Sequence, residues 1–139
     1  MTEVFADTFY WAAFTNIQDL AHERAKAFTL ASPPRLNVVT EEVLTEYLNY
    51  FAGWGPRFRG MAATNVQEMR ASRGVRIVPQ TAASITSGLA LYQSRLDKGY
   101  SLTDCISMQT MRREGLTEAL TNDRHFQQEG FRALFRGED

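Results

Sequence analysis

Short apolar segments alternate along this chain with longer segments in which apolar residues recur at helical spacing. Parallel β-sheets built from β-α-β units produce this alternation, because each strand is buried on both faces and each helix crosses back over the sheet. A length of 139 residues suits one domain. The sequence therefore predicts an α/β fold, a three-layer α/β/α single domain over residues 1–139 with a central parallel sheet. The predicted strands are 4–6, 36–39, 75–78, 119–121 and 131–135, and the predicted helices begin at residue 8 or span 17–30, 43–51, 58–71, 82–96 and 101–115.

Composition excludes several classes of protein. With 44% apolar and 22% charged residues the chain is too apolar to be disordered. Its longest unbroken apolar run is the six residues Phe9–Phe14, and a membrane-spanning helix needs roughly 18. The chain does not begin with a signal-peptide pattern, and its single cysteine, Cys105, allows no internal disulfide. We therefore expect a cytoplasmic protein that does not enter a membrane.

Acidic residues follow the predicted strands. Asp7 comes directly after strand 4–6, and Asp123 follows strand 119–121 by two residues. Because the carboxyl ends of parallel strands meet at one edge of a sheet, we expect these two side chains to lie near each other. Asp104 opens the helix at 101–115, and Glu46 lies early in the helix after the second strand. Each acid taken singly fits a helix cap or a solvated helix position, whereas the four together indicate one cluster.

Two stretches in the last third of the chain, 97–105 and 120–126, resemble the PIN-domain family, and in particular its stand-alone bacterial ribonucleases, the VapC-type toxins. They read Asp-Lys-Gly-Tyr-Ser-Leu-Thr-Asp-Cys and Leu-Thr-Asn-Asp-Arg-His-Phe. Residues 4–8 match the family's apolar strand, Asp, then Ser or Thr, and residues 39–46 match the stretch that bears its second acid. The resemblance covers nearly the whole chain and is weakest over about 53–100.

The resemblance implies a metal-dependent endoribonuclease, which hydrolyses RNA through a metal-activated water and leaves a 5′-phosphate and a 3′-hydroxyl. Asp7, Glu46, Asp104 and Asp123 would be the acidic quartet that holds one or two Mg²⁺ or Mn²⁺ ions. Hard divalent cations prefer such oxygen ligands. Thr8 would be a supporting hydroxyl beside Asp7. Asn122 would shape the turn that carries Asp123.

The same resemblance implies a setting and partners. The chain would be the toxin of a type II toxin–antitoxin pair, with a separate antitoxin protein and a homodimeric state. An apolar-aromatic surface containing Trp11, Tyr47 or Trp54 could serve either contact.

Arginines are concentrated in the middle of a chain whose net charge is only −1. Residues 57–96 hold six arginines and one acidic residue. Arginine binds phosphate through a planar fork, so Arg57, Arg59 and, beside the last acid, Arg124 are candidate RNA contacts. A solvated arginine face is the alternative for the first two. His125, the neighbour of Arg124, could shuttle protons, and both residues are equally compatible with packing or surface positions.

Two other functions remain compatible with the residues. One is a non-catalytic PIN-like module that binds RNA or a protein without cutting. The other is a metal-dependent phosphatase or DNA nuclease that uses the same acids, because the surrounding groove rather than the quartet sets the substrate class.

Overall fold

Five parallel strands form the centre of the computed structural model, which describes residues 1–31 and 34–136. Their order across the sheet is β3-β2-β1-β4-β5. The pairing sets Val4 opposite Asn37 on one side of β1 and Phe5 opposite Ala119 on the other. β1 is therefore the central strand. The strands are β1 (Thr2–Ala6), β2 (Arg35–Thr40), β3 (Val75–Val78), β4 (Glu118–Leu120) and β5 (Arg132–Ala133).

Seven helices flank this sheet and complete the three-layer arrangement predicted from the sequence. α5 and α6 pack closely because Gly88 has no side chain: a Cβ there would lie 2.4 Å from Cγ1 of Ile106 and 3.2 Å from its backbone nitrogen. The helices are α1 (Thr8–Thr15), α2 (His22–Thr29), α3 (Glu41–Tyr50), α4 (Pro56–Ala71), α5 (Ala82–Ser94), α6 (Leu102–Glu114) and α7 (Arg124–Gln128).

The core is densest around β1. Val4, Phe5 and Ala6 are all fully buried, as expected for a central parallel strand that is covered on both faces. Burial of these last three residues of the strand fixes where the chain emerges at its carboxyl end, and Asp7 is the residue that emerges there. None of the helices in residues 1–31 and 34–136 is long and apolar enough to cross a membrane.

The structure departs from the sequence prediction in three places. The helix predicted over 17–30 begins only at His22, because the side chains of Asn16 and Asp19 accept hydrogen bonds from the backbone amides of Gln18 and Ala21 and form turns instead. The strand predicted over 131–135 is confined to two residues. The short helix α7, which Asp123 caps, was not predicted.

Candidate active site

Asp7 is buried at the carboxyl end of β1, and its side chain does not cap the helix that follows. It occupies the N-cap of α1 but makes no side-chain cap bond. The residue is only 6% exposed, and its Oδ2 accepts a 2.8 Å hydrogen bond from the hydroxyl of Thr121, the residue after β4. The two neighbouring strands thus hold this carboxylate between them.

Burial raises the pKa of Asp7 from 3.8 to about 7. The negative charges of Asp104 and Glu46 add to the rise, while hydrogen bonds from Thr121 and from the backbone of Thr8 oppose it. A cation placed among these groups would reverse the electrostatic part of this balance, because it favours the charged form of each carboxylate.

Asp104 lies in the first turn of α6, within electrostatic range of the other three acids. Ser101 and Asp104 form a capping box: the Ser101 hydroxyl accepts from the backbone N–H of Asp104 at 3.0 Å, and Asp104 Oδ2 accepts from the N–H of Ser101 at 3.1 Å. Burial raises the pKa of Asp104, and the charges of Asp123 and Glu46 raise it further. The box fixes the side chain, so the capping function and the cluster are compatible in this residue.

Glu46 reaches the cluster from the second turn of α3. Its Oε1 accepts a short hydrogen bond from the hydroxyl of Thr8. The sequence prediction placed the Thr8 hydroxyl beside Asp7, whereas in the structure this hydroxyl supports Glu46 and the Thr121 hydroxyl supports Asp7. Thr121 is the supporting residue that sequence reasoning missed.

Asp123 lies at the start of α7, and His125 lies beside it. Asp123 Oδ1 accepts a 2.9 Å hydrogen bond from the backbone N–H of His125. The imidazole Nδ1 is 3.3 Å from Asp123 Oδ1 and 3.8 Å from Asp104 Oδ2. One ligand atom from each of Asp104, Asp123 and His125 lies within 4.8 Å of the others. The turn before Asp123 is fixed by its own N–H donating to the Thr121 hydroxyl at 3.1 Å.

The remaining predicted residues lie outside this cluster of side chains. Asn122 is exposed, and its backbone oxygen accepts from Arg136 Nη1 at 3.1 Å. Arg57 and Arg124 are exposed, and so is Arg59, whose Nη1 donates to the backbone oxygen of Ala52 at 2.8 Å.

Two of the aromatic residues predicted for a partner contact belong to the core instead. Trp11 is 7% exposed and Tyr47 is fully buried, so neither side chain stands out from the surface as an aromatic contact. Trp54 is 41% exposed and packs on Phe51 and Phe58.

The acids do not line the apolar groove beside α1 and α4. That groove is lined by Trp11, Phe14, Met69 and neighbouring residues, with none of the four acids among them. The cluster lies instead at the carboxyl edge of the sheet, the edge at which open α/β sheets bind ligands.

A second buried carboxylate, Glu129, lies near the acidic cluster but has a different environment. Its side chain is 5% exposed and bonds Arg95 Nε and Arg112 Nη2, each at 2.8 Å. The hydroxyl of Tyr100 donates to it at 2.9 Å. Burial acts to raise the pKa of Glu129, but these donors outweigh it and lower the pKa to about 2.

The donor set of the acidic cluster fits a divalent metal ion. Asp7, Glu46 and Asp104 form no ion pair with a lysine or arginine within residues 1–31 and 34–136, and the one basic side chain at ion-pair distance from Asp123 there is His125. Carboxylate oxygens with no cation of their own are the ligands that Mg²⁺ and Mn²⁺ prefer. The buried Nδ1 of His125, which has no hydrogen-bond partner in the described part of the chain, adds a further unsatisfied acceptor or donor.

Comparison with known proteins confirms the resemblance to VapC-type PIN-domain ribonucleases. The chain is 29% identical over 128 residues to the 23S rRNA-specific endonuclease VapC20 of Mycobacterium tuberculosis, in the strains CDC 1551 and H37Rv; the match covers 92% of this chain and 95% of the relative. The crystal structure of M. tuberculosis VapC20, described as a sarcin-ricin loop cleaving toxin, superposes with a TM-score of 0.81 over the same shares of the two chains. No protein-family model matches the sequence.

Proposed function

We propose that this chain, which has the sequence pattern and fold of VapC-type PIN-domain proteins, is a metal-dependent endoribonuclease and the toxin of a toxin–antitoxin pair. The observation that carries the proposal is the convergence of four carboxylates around Asp104 at the carboxyl edge of the sheet. The likeness to an enzyme that cuts 23S rRNA supports RNA as the substrate class. A ribosomal RNA substrate would place the reaction in the cytoplasm.

Asp7, Glu46, Asp104 and Asp123 would hold one or two Mg²⁺ or Mn²⁺ ions. A bound divalent ion supplies a lowered pKa for a water molecule and compensates negative charge that develops on the phosphate. The hydroxyls of Thr121 and Thr8 keep one oxygen of Asp7 and of Glu46 in place. By holding one oxygen, each contact also limits the orientation of the second oxygen of the same carboxylate.

A cysteine nucleophile is not needed, and the local environment disfavours one. Cys105 follows Asp104 directly but is fully buried. Burial and the charge of Asp104 raise the pKa of the Cys105 thiol. The thiolate, which is the nucleophilic form, is therefore suppressed, and hydrolysis by water is the chemistry that these residues support.

Binding of the RNA backbone is proposed for Arg57, Arg59 and Arg124, which are exposed. An acidic site that cuts a polyanion needs positive charge nearby to hold the substrate. Exposed arginines supply it without neutralising the buried acids.

Contacts with protein partners are proposed for exposed apolar side chains. Ile85, Leu89 and Tyr92 on α5 are 45–50% exposed at helical spacing, and Leu96 just after the helix is 86% exposed. This stripe and Trp54 are suited to a homodimer contact or to an antitoxin segment. Solution mass measured with and without an antitoxin distinguishes the two uses.

RNA cleavage by the purified protein tests the proposed activity. The substrates are a sarcin-ricin loop oligonucleotide, a panel of single-stranded RNAs and a DNA of matching sequence, each with Mg²⁺, Mn²⁺ or EDTA. Asp104→Asn should reduce cleavage about 10³-fold, as expected when preorganised charge stabilisation is lost. Asp97→Asn is the matched control, because the Asp97 side chain is 77% exposed, and it should cleave within about twofold of the wild type.

The outcomes separate the alternatives. Cleavage that persists in EDTA or in Asp104→Asn would refute the metal-dependent site. RNA binding without cleavage by a folded, metal-loaded protein would favour the non-catalytic module, and equal cleavage of the DNA would favour a less selective nuclease.

A further inference from the structure

We propose that His125 is itself a metal ligand: its Nδ1 coordinates the divalent ion held by Asp104 and Asp123 and makes this position prefer Mn²⁺ over Mg²⁺. The inference rests on the proposed metal-dependent function and extends the donor set beyond the four acids. It assigns a role to a residue for which the sequence left packing and proton transfer as equal alternatives.

The first support is the position of the imidazole nitrogen. Nδ1 lies 3.3 Å from Asp123 Oδ1 and 3.8 Å from Asp104 Oδ2, and the ligand atoms of the three residues all lie within 4.8 Å of one another. Ligand atoms that each lie about 2.1 Å from one ion can be at most about 4.2 Å apart, so only a small contraction of this group is needed.

The second support is that Nδ1 is buried and unsatisfied. It has almost no solvent contact and no hydrogen-bond partner in residues 1–31 and 34–136, although one oxygen each of Asp123 and Asp104 lies within 3.8 Å of it. Buried polar atoms in folded proteins nearly always have a partner. The Nδ1 of His22, by comparison, has a 2.9 Å contact with the backbone oxygen of Ala13. The unsatisfied nitrogen is thus specific to His125.

The third support is that the ring is held in this orientation. The Tyr100 ring packs against the imidazole with centroids 5.0 Å apart and planes tilted by 58°. The hydroxyl of Tyr100 is in turn bonded to Glu129, which Arg95 and Arg112 hold. These contacts restrict rotation of the imidazole and keep its Nδ1 next to the two aspartates.

A nitrogen ligand changes which ion the position favours. Imidazole is a softer ligand than carboxylate, and it suits transition metals better than Mg²⁺, which strongly prefers oxygen. Asp7 and Glu46, which are not part of this three-residue group, offer only oxygen. The proposal therefore predicts that the His125 side of the site selects Mn²⁺.

Electron spin-echo spectroscopy of Mn²⁺ bound to the full-length protein tests the ligation directly. Bound ¹⁴N-imidazole produces a nitrogen modulation, and histidine-specific ¹⁵N labelling should shift it in the unaltered wild type. The modulation should be absent in His125→Phe, which keeps a ring against Tyr100, and present in His22→Phe, the matched control. His125→Phe should weaken Mn²⁺ binding by about 10–100-fold, and Mg²⁺ binding by less than about threefold.

The possible failures are distinguishable. Asp104-dependent Mn²⁺ binding without nitrogen coupling, or coupling that survives in His125→Phe, would overturn His125 ligation while leaving the metal-dependent nuclease intact. Absence of any Asp104-dependent Mn²⁺ or Mg²⁺ binding would overturn the metal-dependent function itself. The ¹⁵N experiment on the wild type decides the ligation even if the phenylalanine variant does not fold.

Discussion

Asp7 and Glu129 are two buried carboxylates whose surroundings shift their pKa values in opposite directions. Asp7 is 6% exposed, and the Glu129 side chain is 5% exposed. Glu129 bonds two arginines and a tyrosine, and its pKa falls to about 2. Asp7 receives a hydrogen bond from Thr121 but faces other acids, and its pKa rises to about 7.

A buried charge that has a structural role and one that has a functional role differ in the groups that surround them. A buried carboxylate costs stability unless donors and opposite charges surround it. The cluster at Glu129 is complete within the protein. The cluster at Asp7 lacks positive charge from any lysine or arginine in the described part of the chain, and the divalent cation proposed above would complete it. Unneutralised buried acids at a sheet edge are therefore the physical signature of the site.

Substitution of the two carboxylates should have opposite effects on stability. In EDTA at pH 8, Glu129→Gln should lower the free energy of unfolding by about 1–3 kcal/mol, because it removes the charge that Arg95 and Arg112 share. Asp7→Asn should raise it by about 1–3 kcal/mol, because it removes a buried charge that faces like charges. Urea denaturation of both variants measures the two changes.

Asp97→Asn serves as the exposed control and should change the free energy of unfolding by less than about 0.5 kcal/mol. Added Mn²⁺ should stabilise the wild type and Glu129→Gln more than Asp7→Asn. A loss of stability in both buried variants would contradict the distinction between the two clusters.

The two carboxylates should make the free energy of unfolding depend on pH in two different pH ranges. Glu129 has a folded pKa of about 2 against an ordinary 4.5, so its stabilisation is complete above pH 4.5 and is lost as the pH falls toward 2. Asp7 has a folded pKa of about 7 against 3.8, so the folded state keeps a proton that the unfolded chain releases, and stability falls as the pH rises from 3.8 to 7.

Urea denaturation across pH 2–8 in EDTA measures both windows. Glu129→Gln should flatten the acid limb, and Asp7→Asn should reduce the decline toward neutral pH. Asp104, whose pKa burial also raises, should leave part of that decline in place. A decline of unchanged size in Asp7→Asn would refute the raised pKa of this residue.

The arginines also fall into a paired group and an exposed group, and substitutions in the exposed group should have a smaller effect, on RNA binding. Arg95 and Arg112 are held by Glu129, whereas Arg57 and Arg59 are exposed and form no ion pair in residues 1–31 and 34–136. Replacing Arg57 and Arg59 with Gln should weaken RNA binding and reduce the slope of log K against log salt by about 1.4, or 0.7 for each lost phosphate contact.

The measurement is RNA binding by a cleavage-deficient Asp104→Asn background between low and moderate salt. Arg113→Gln, an exposed arginine at the far end of α6, is the control and should leave the slope unchanged. An unchanged slope in the Arg57 and Arg59 variant would remove both residues from the RNA path.

Much of the fold could be predicted because local sequence and burial agree. The apolar run at 4–6 is buried on both faces, Thr40 caps α3 through a 3.1 Å bond from Val43 N–H, and Ser101 opens α6 with its capping box. The turn at 16–21 was missed because side chains of Asn16 and Asp19 compete with the helix for backbone amides.

The acids could be located from the chain, but their supporting contacts could not. Asp7, Asp104 and Asp123 each follow a strand or open a helix, which sequence shows. That Thr121 rather than Thr8 donates to Asp7, and that Thr8 donates to Glu46, depends on side-chain directions at the sheet edge, which sequence spacing does not determine. Thr121 lies directly between β4 and the Asn-Asp turn, and a hydroxyl residue at this end of a strand was the signal that the sequence offered for its role.

The hydrogen bond between Thr121 and Asp7 joins residues 114 positions apart, which affects when the site can form during synthesis of the chain. Because translation runs from the N-terminus to the C-terminus, Asp7 is made before the other three acids and Asp123 after them. Strand β1 can acquire its β4 neighbour only once β4 has been made, and pairings so distant in sequence form slowly. The growing chain therefore carries Asp7 and Glu46 without Asp104, Thr121 and Asp123 until those residues are made, and the site assembles only after that.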